Sequence, residues 1–537
     1  MNPQPPVTNS RTTPDNSGVA GALADFPMLR AKIDNYKTTF AQMDWTPWLI
    51  VGLGALLRIL FLGIKPPHFD EGINGWFVDA HIVKQGFYRY DPTNYHGPLH
   101  FYVLFLFKCL FGRNIWALRM PVVIVSTICI WLALKFEPFV SRNVARLAAL
   151  AMAVSPAFVF YGRYSIHEAW LLMFSMLFVF GLFGLWRVGT VNYLWCVGMG
   201  VAGMILTKET YIIHIGCALI AIPVLQLSAK LNPLPDAKWV KQKWDYVDLA
   251  VITFVGVALI VFFYSGTFFH WNGVKDIFMA YKPWFETGSE GHGHDKPWHY
   301  WLKLIARYEW PVLLGLIACV FCQQLKNFSL RYLAIYGVGT LAVYSYVHYK
   351  TPWCIISIVW PFLFLFGAVP FLVPNKRLAN LALSALLVAS FIASIRLNYF
   401  RCTTDTEPYV YVQTYNDVWK LTEPLLTLAK RNPINYHLVG HLVRQSSYPL
   451  PWMLGDFPNV GYYEHENLPA KVDADFLLVQ EDKIDKVEAK LTESYFTAPL
   501  RIRAYQDTSK LYLNAKRFAE FFPGRQPDFV GGQRTHE

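Results

Sequence analysis

The sequence predicts a mostly α-helical, polytopic membrane protein of about eleven spans, closed by a small C-terminal α/β domain. Its make-up leads there first. Of 537 residues, 54% are hydrophobic and 17% aromatic, and only 16% are charged, against about 25% charged in soluble domains. Apolar runs near the length of a bilayer crossing recur from residue 46 to residue 396; beyond residue 400 they shorten and charges rise. The net charge of +11 is explained by basic loops on the cytoplasmic side of a membrane and calls for no nucleic-acid partner.

Taken in order, residues 1–44 are rich in Pro, Ser, Thr and Asn and lack an apolar h-region, so they read as a disordered cytoplasmic segment without a cleavable signal. Arg30, Lys32 and Lys37 ahead of the first span favour a cytoplasmic N-terminus. The transmembrane domain is expected over 45–398, with spans near 46–64, 115–134, 143–161, 166–186, 191–206, 211–229, 247–266, 310–325, 331–348, 353–373 and 378–396. Segment 99–111 would form a helix of only about 20 Å against a hydrocarbon core of about 30 Å. It also carries His100 and Lys108, and is read as a re-entrant or interfacial helix at the outer surface. Were it to cross, the sidedness of every later loop would reverse. Without that crossing, bases such as Lys135, Arg142, Arg187, Lys230, Lys326 and Arg377 fall inside, as the positive-inside rule requires. Residues 399–537 then form an extracytoplasmic α/β domain, with helices near 412–430 and 481–491 and strands near 436–440, 475–480, 499–504 and 510–514. The implied location is the plasma (inner) membrane. The eight cysteines lie mostly in apolar runs and imply no disulfide framework.

The chemistry concentrates at His68-Phe69-Asp70-Glu71, just past the first span, echoed by Tyr95-His96-Gly97-Pro98. Acids so close to a membrane are costly to desolvate. A helix over Glu71–Gln85 is expected to present the stripe Ile73, Trp76, Phe77, Ala80 and Val83 and to stop at Gly86, with Asp70 either its N-cap or free for chemistry. In the eleven-span topology Asp70, Glu71, His96, Arg163, His167, Glu168, Lys208, Glu209, His270 and Lys350 all fall on the outer face, from separate loops. One cleft at the membrane surface would gather them. Arg58, inside the first span, is expected to be buried against an acid. Glu71 and His96 are the candidates for a divalent metal, alongside His292-Gly293-His294 with Asp295 and His299; no cofactor is certain, and the histidine run reads equally as a mobile lid within loop 267–309. Asp456, Glu464, His465 and Glu466 show no spacing that demands catalysis.

Together with Thr207-Lys208-Glu209, Tyr349-Lys350-Thr351-Pro352-Trp353 and Tyr448-Pro449-Leu450-Pro451-Trp452, these motifs resemble the flippase-activity-associated family. That family is related to dolichyl-phosphate-mannose protein mannosyltransferases and to lipid A aminoarabinose transferases, within the GT-C glycosyltransferases. The resemblance implies a GT-C-like fold, a polyprenyl-phosphate-linked sugar donor, and a protein, lipid or glycan acceptor. It places Asp70 where the relatives hold a general base, Lys208 where aminoarabinose transferases hold a lysine, and Glu168 where they hold an acid, suggesting an Arg163–Glu168 pair. Glu71 is expected as a second catalytic residue supporting Asp70, turned to a metal, a cation or the sugar; Lys208, Arg163 and Lys350 are phosphate-clamp candidates, and His96, Glu168 and Glu209 substrate-binding ones. A polyprenyl phosphate leaves without a general acid, so a base and cations suffice. Adjacent acids do not flank a bond as glycosidase carboxylates do, which points to direct, inverting displacement. The alternative is a lipid-linked sugar flippase or a flippase-associated protein. A transporter would place polar groups near mid-membrane in repeated halves, and these cluster at span ends. The WWDYG-type motif of oligosaccharyltransferases is absent.

Overall fold

The computed structural model describes residues 44–235, 238–290, 293–464 and 467–532. It divides into two units, Met1–Leu49 and Ile50–Glu537; in the first, only the end of the leading segment and the start of the helix Thr46–Ile59 are described. The expected disordered segment otherwise lies outside the described residues, as do His292, His465 and Glu466.

Among the described residues six helices are long and apolar enough to cross a membrane: Ile115–Val140, Glu168–Arg187, Tyr211–Leu231, Tyr246–Tyr264, Pro352–Phe371 and Lys376–Phe400. Thr46–Ile59, Leu99–Phe111, Val191–Ile205 and Trp310–Cys319 are shorter apolar helices. The chain is a polytopic membrane protein. The run expected as one span at 143–161 is two helices, Arg142–Val154 and Pro156–Tyr161. Pro156 lacks the N–H to continue the first, and Ser155 Oγ caps the second by accepting from Phe158 N at 3.3 Å. Burial sorts the helices. Every residue of Ile355–Ala368 is buried, as an apolar-all-round helix must be if it lies at the centre of a bundle. In Tyr246–Tyr264 only Ile252, Gly256 and Tyr264 are buried, leaving a face for lipid.

The short helix after the first span starts at Phe69 and ends at Phe77, then continues as a π-helical turn over Val78–Val83 before Gly86 stops it at φ +86°. Its buried face is Glu71, Gly72, Asn74, Gly75, Val78 and Ile82, and Val83, expected in the apolar stripe, is exposed. The reason is that the helix docks through its small residues. A Cβ on Gly72 would lie 2.5 Å from Pro449 Cβ, and one on Gly75 would lie 2.2 Å from Trp452 Cδ1.

Those two partners belong to the C-terminal portion. Its sheet comprises β1 (Gly440–Val443), β2 (Val460–Tyr463), β3 (Phe476–Gln480), β4 (Ser494–Leu500), β5 (Ser509–Asn514) and β6 (Phe529–Val530), ordered β2-β1-β3-β5-β4-β6. β1 runs parallel to β2 and β3, pairing Gly440 with Phe476, and the remaining pairs are antiparallel. β1 and β3 are buried along their whole length, as central strands covered on both faces are. The strand expected at 499–504 is instead Ser494–Leu500. Tyr495, Phe496 and Leu500 are buried, whereas the following Arg501-Ile502-Arg503 leaves the sheet and carries Arg503 toward the Asp70 helix.

Candidate functional site

The Asp70 helix is built from its N-terminus. His68, not Asp70, is the N-cap: its Nδ1 accepts from Asp70 N at 3.0 Å, and Glu71 accepts from His68 N at 2.9 Å, completing a capping box. His68 Nε2 donates to the Tyr411 carbonyl at 2.8 Å. Burial holds this imidazole neutral, its pKa lowered to about 3.

Glu71 is fully buried and takes a bidentate bond from Arg119, Nε to Oε1 at 2.8 Å and Nη2 to Oε2 at 2.7 Å, plus one from Ser165 N at 2.8 Å. Arg119 also donates to the carbonyls of Leu62, Lys65 and Pro66 at 2.7–3.1 Å. Burial pulls the Glu71 carboxyl upward, but the Arg119 charge and bonds outweigh it and leave the pKa near 2, lowered to about 2. All four of its acceptor positions are used, so Glu71 is corrected as a catalytic group and as a metal ligand, and of a metal, a cation or the sugar the partner it meets is a cation, Arg119. It folds the 62–71 loop around Arg119.

Asp70, released from capping, faces a cavity of about 630 Å³ that it shares with His96, His167, Glu168, Lys208 and Glu209, within the usual range for ligand sites of about 300–1,000 Å³. Its side chain is 32% exposed, with Oδ2 3.8 Å from His68 Nδ1. Burial first, then the nearby Glu168 carboxylate, raise its pKa to about 6 against the pull of His96, Lys208 and Arg503. Two turns bring in the others. Gly97 N donates to Thr207 O and Leu99 N to Leu206 O, each at 3.1 Å. A Cβ on Gly97 would meet the Leu206 carbonyl at 2.2 Å, so only glycine lets the backbones meet. In the resulting cluster His96 Nδ1 bonds Glu209 Oε2 at 2.9 Å, and Lys208 Nζ donates to Glu168 Oε1. Burial opposes both charges, yet Glu168 and Glu209 hold the Lys208 pKa well up, and His96 and Lys208 hold Glu209 down.

The far wall is the long loop, whose helix Tyr281–Glu290 contributes Trp284, Phe285 and Thr287 to the cavity. The loop is tied to the Tyr349-Lys350-Thr351 motif by a bridge between Asp295 and Tyr349 and by Lys350 N donating to His294 O at 3.2 Å. His294 Nδ1 bonds Tyr411 OH at 2.6 Å. One side of the cavity is apolar, lined by Ile212, Ile213, Val343 and Tyr346, of which Ile212, Val343 and Tyr346 are exposed.

Three expected residues are placed elsewhere. Arg163, 2% exposed, donates to the Leu57 and Phe61 carbonyls at 3.0 and 2.7 Å and lies over the Tyr399 ring. The Arg163–Glu168 pair does not form, because Lys208 takes Glu168. Lys350 Nζ donates to the Lys296 carbonyl at 3.0 Å and to that of Val347, fastening the loop. Neither Arg163 nor Lys350 lines the cavity. Arg58 is buried without an acid: it donates to Ser126 Oγ and to the carbonyls of Gly54, Met152, Ala153 and Phe158 at 2.9–3.3 Å. As for a metal, His96 and Glu71 are engaged separately. Among the described residues no three His, Cys, Asp or Glu side chains are grouped to hold an ion.

One residue near Asp70 carried no signal in the sequence. Arg503 lies 3.9 Å over the Phe69 ring and donates to Ser446 Oγ at 3.1 Å; nothing local distinguishes it from other tail arginines. His167, with its Nε2 lacking a hydrogen-bond partner, sits 4.8 Å from the His96 ring.

Residues 95–262 match the family described as dolichyl-phosphate-mannose-protein mannosyltransferase. Among solved structures, ArnT from Cupriavidus metallidurans bound to undecaprenyl phosphate matches with a TM-score of 0.57 at 13% identity, covering 86% of this chain and 97% of that one. The archaeal oligosaccharyltransferase AglB from Archaeoglobus fulgidus, in complex with an inhibitory peptide and a dolichol-phosphate, matches with a TM-score of 0.51 at 10% identity, covering 87% of this chain and 74% of that one. Among curated proteins no sequence matches significantly.

Proposed function

From a chain that has the GT-C fold and matches a mannosyltransferase family over residues 95–262, we propose a membrane glycosyltransferase that moves a sugar from a polyprenyl-phosphate carrier to an acceptor hydroxyl, with Asp70 as general base. The observation that carries this reading is the release of Asp70 from capping, with its carboxylate turned into a cavity that also holds Lys208 and His96.

The reaction follows from those groups. Asp70 takes the proton from the acceptor hydroxyl as its oxygen attacks the anomeric carbon. The bond from that carbon to the phosphate oxygen breaks, and the polyprenyl phosphate leaves with the electron pair. Its growing charge needs a cation already in place. Lys208, oriented by Glu168, is that cation, and His96, its Nδ1–H committed to Glu209, presents Nε2 to the donor. The exposed apolar side at Ile212 and Tyr346 suits a prenyl tail entering from lipid. Glu71, Arg163 and Lys350 hold walls in position. The cleft lies on the extracytoplasmic face of the plasma (inner) membrane in this reading, with the N-terminus cytoplasmic and residues 399–537 forming the domain that closes over the site.

Purified protein given a radiolabelled polyprenyl-phosphate sugar and membrane extract tests it. Asp70→Asn is expected to slow transfer by about 10²–10⁴-fold, the usual worth of a general base. Transfer unchanged in that variant, or lipid scrambling without transfer, would overturn the assignment.

A further inference from the structure

We propose that a second cavity, beside the first, is a subsite for a neutral oligosaccharide, the glycan part of an acceptor. Its purpose rests on the transferase reading, but its binding does not.

This cavity, of about 220 Å³, lies between residues 405–415, the long loop and residues 504–505. Tyr411 separates it from the Asp70 cavity. The Tyr411 carbonyl holds His68, and its ring lies 6.1 Å from that of Trp353, which lines the Asp70 cavity. A molecule seated here therefore lies against Tyr411, whose ring neighbours a wall residue of the Asp70 cavity.

The lining chemistry is that of sugar recognition. Tyr505 is 93% exposed with its backbone at φ +61°, so an aromatic face is held out at the rim in a conformation that non-glycine residues rarely adopt. Val412, β-branched and also in the lining, sits at φ +55°. Two such residues bordering one cavity are the kind of backbone strain that gathers at ligand sites. The flat C–H face of a pyranose covers a tyrosine ring, and its hydroxyls need acceptors. Asp405 is exposed and has Oδ2 fixed by Tyr415 OH at 2.9 Å. Gln413 is 4% exposed and anchored through Nε2 to the Pro66 carbonyl at 3.0 Å, while its Oε1 has no partner.

Charge argues against a phosphorylated ligand. Among the lining residues Lys296 is the one cation, beside Asp405 and Glu407, and the neighbouring Arg307 and Arg401 are committed to Glu407 at 3.1 and 2.9 Å, so the lining offers a phosphate a single lysine and no cluster of cations. The volume falls below the about 300–1,000 Å³ of drug-sized pockets, which suits one sugar ring with the rest of the glycan lying across Tyr505.

Saturation-transfer NMR on the full chain in lipid nanodiscs, with mannotriose, maltotriose and chitotriose offered singly, tests the proposal. Saturation of sugar C–H protons is expected for at least one of the three. It should fall several-fold in Tyr505→Ala and in Asp405→Asn, with unchanged thermal unfolding for Tyr505→Ala, and persist in Asp70→Asn. Absence of saturation with all three sugars, full saturation in Tyr505→Ala, or its loss in Asp70→Asn would overturn the subsite. Binding that persists while the wild-type chain transfers no sugar would leave the subsite standing and remove the transferase reading.

Discussion

Asp70 and Glu71 are neighbours with opposite fates, and pH separates them. Asp70 accepts a proton only when ionised, and burial together with Glu168 raises its pKa to about 6. Transfer is therefore expected to be flat near pH 8 and to fall tenfold per unit as pH drops below about 6, read from single-turnover rates across a pH series. A limb at pH 4, the ordinary carboxylate range, would remove Asp70 from the base role. Glu71 answers to stability instead. Glu71→Gln keeps the shape but leaves Arg119 buried without a counter-charge, at a cost of about 3–5 kcal/mol, measurable as a lower unfolding midpoint in detergent. That the two acids mattered was legible from their place beside a span. Which did what was not, because successive helix positions point about 100° apart and the deciding partner, Arg119, lies 48 residues away. Arg163 and Lys350 were misread for a related reason: a basic residue at a span end caps backbone carbonyls as readily as it meets a substrate.

At the scale of elements, the site depends on close backbone approaches that glycines permit. The Asp70 helix carries Gly72 and Gly75 against Pro449 and Trp452, and the His-Gly-Pro turn seats Gly97 on Leu206. Gly75→Ala puts a methyl into the Trp452 ring. It is expected to destabilise by about 1–3 kcal/mol and to lower transfer by displacing Asp70, checked by unfolding and activity on the same preparation; an unchanged rate would detach the helix position from function. The apolar periodicity of Glu71–Gln85 indicated a helix but chose the wrong face. Hydrophobic residues define a buried stripe when large side chains fill the contact, whereas here two glycines and the polar Asn74, bonded to Ser165 O at 2.9 Å, fill it.

For the whole molecule, apolar runs of bilayer length account for six of the eleven expected spans as helices long enough to cross among the described residues, and the composition change after residue 400 marks the portion with the sheet, since both depend on local sequence alone. The approach of Arg503 and Trp452 to a helix near the other end of the chain depends on packing, which no local pattern encodes. Sidedness is open to direct measurement. With exposed Cys109 replaced by serine, a cysteine at exposed Asp482 is expected to react with an impermeant maleimide in intact cells, and one at exposed Lys241 only after lysis. The opposite pattern would mean that Leu99–Phe111 crosses the membrane. The packing of Pro449 and Trp452 on the Asp70 helix also has a consequence in time. Asp70 is made well before Pro449 and Trp452, so during translation the helix waits for the residues that cover it. Under the proposed function, a nascent chain is expected to lack transfer activity until Pro449 and Trp452 have emerged and packed on Gly72 and Gly75.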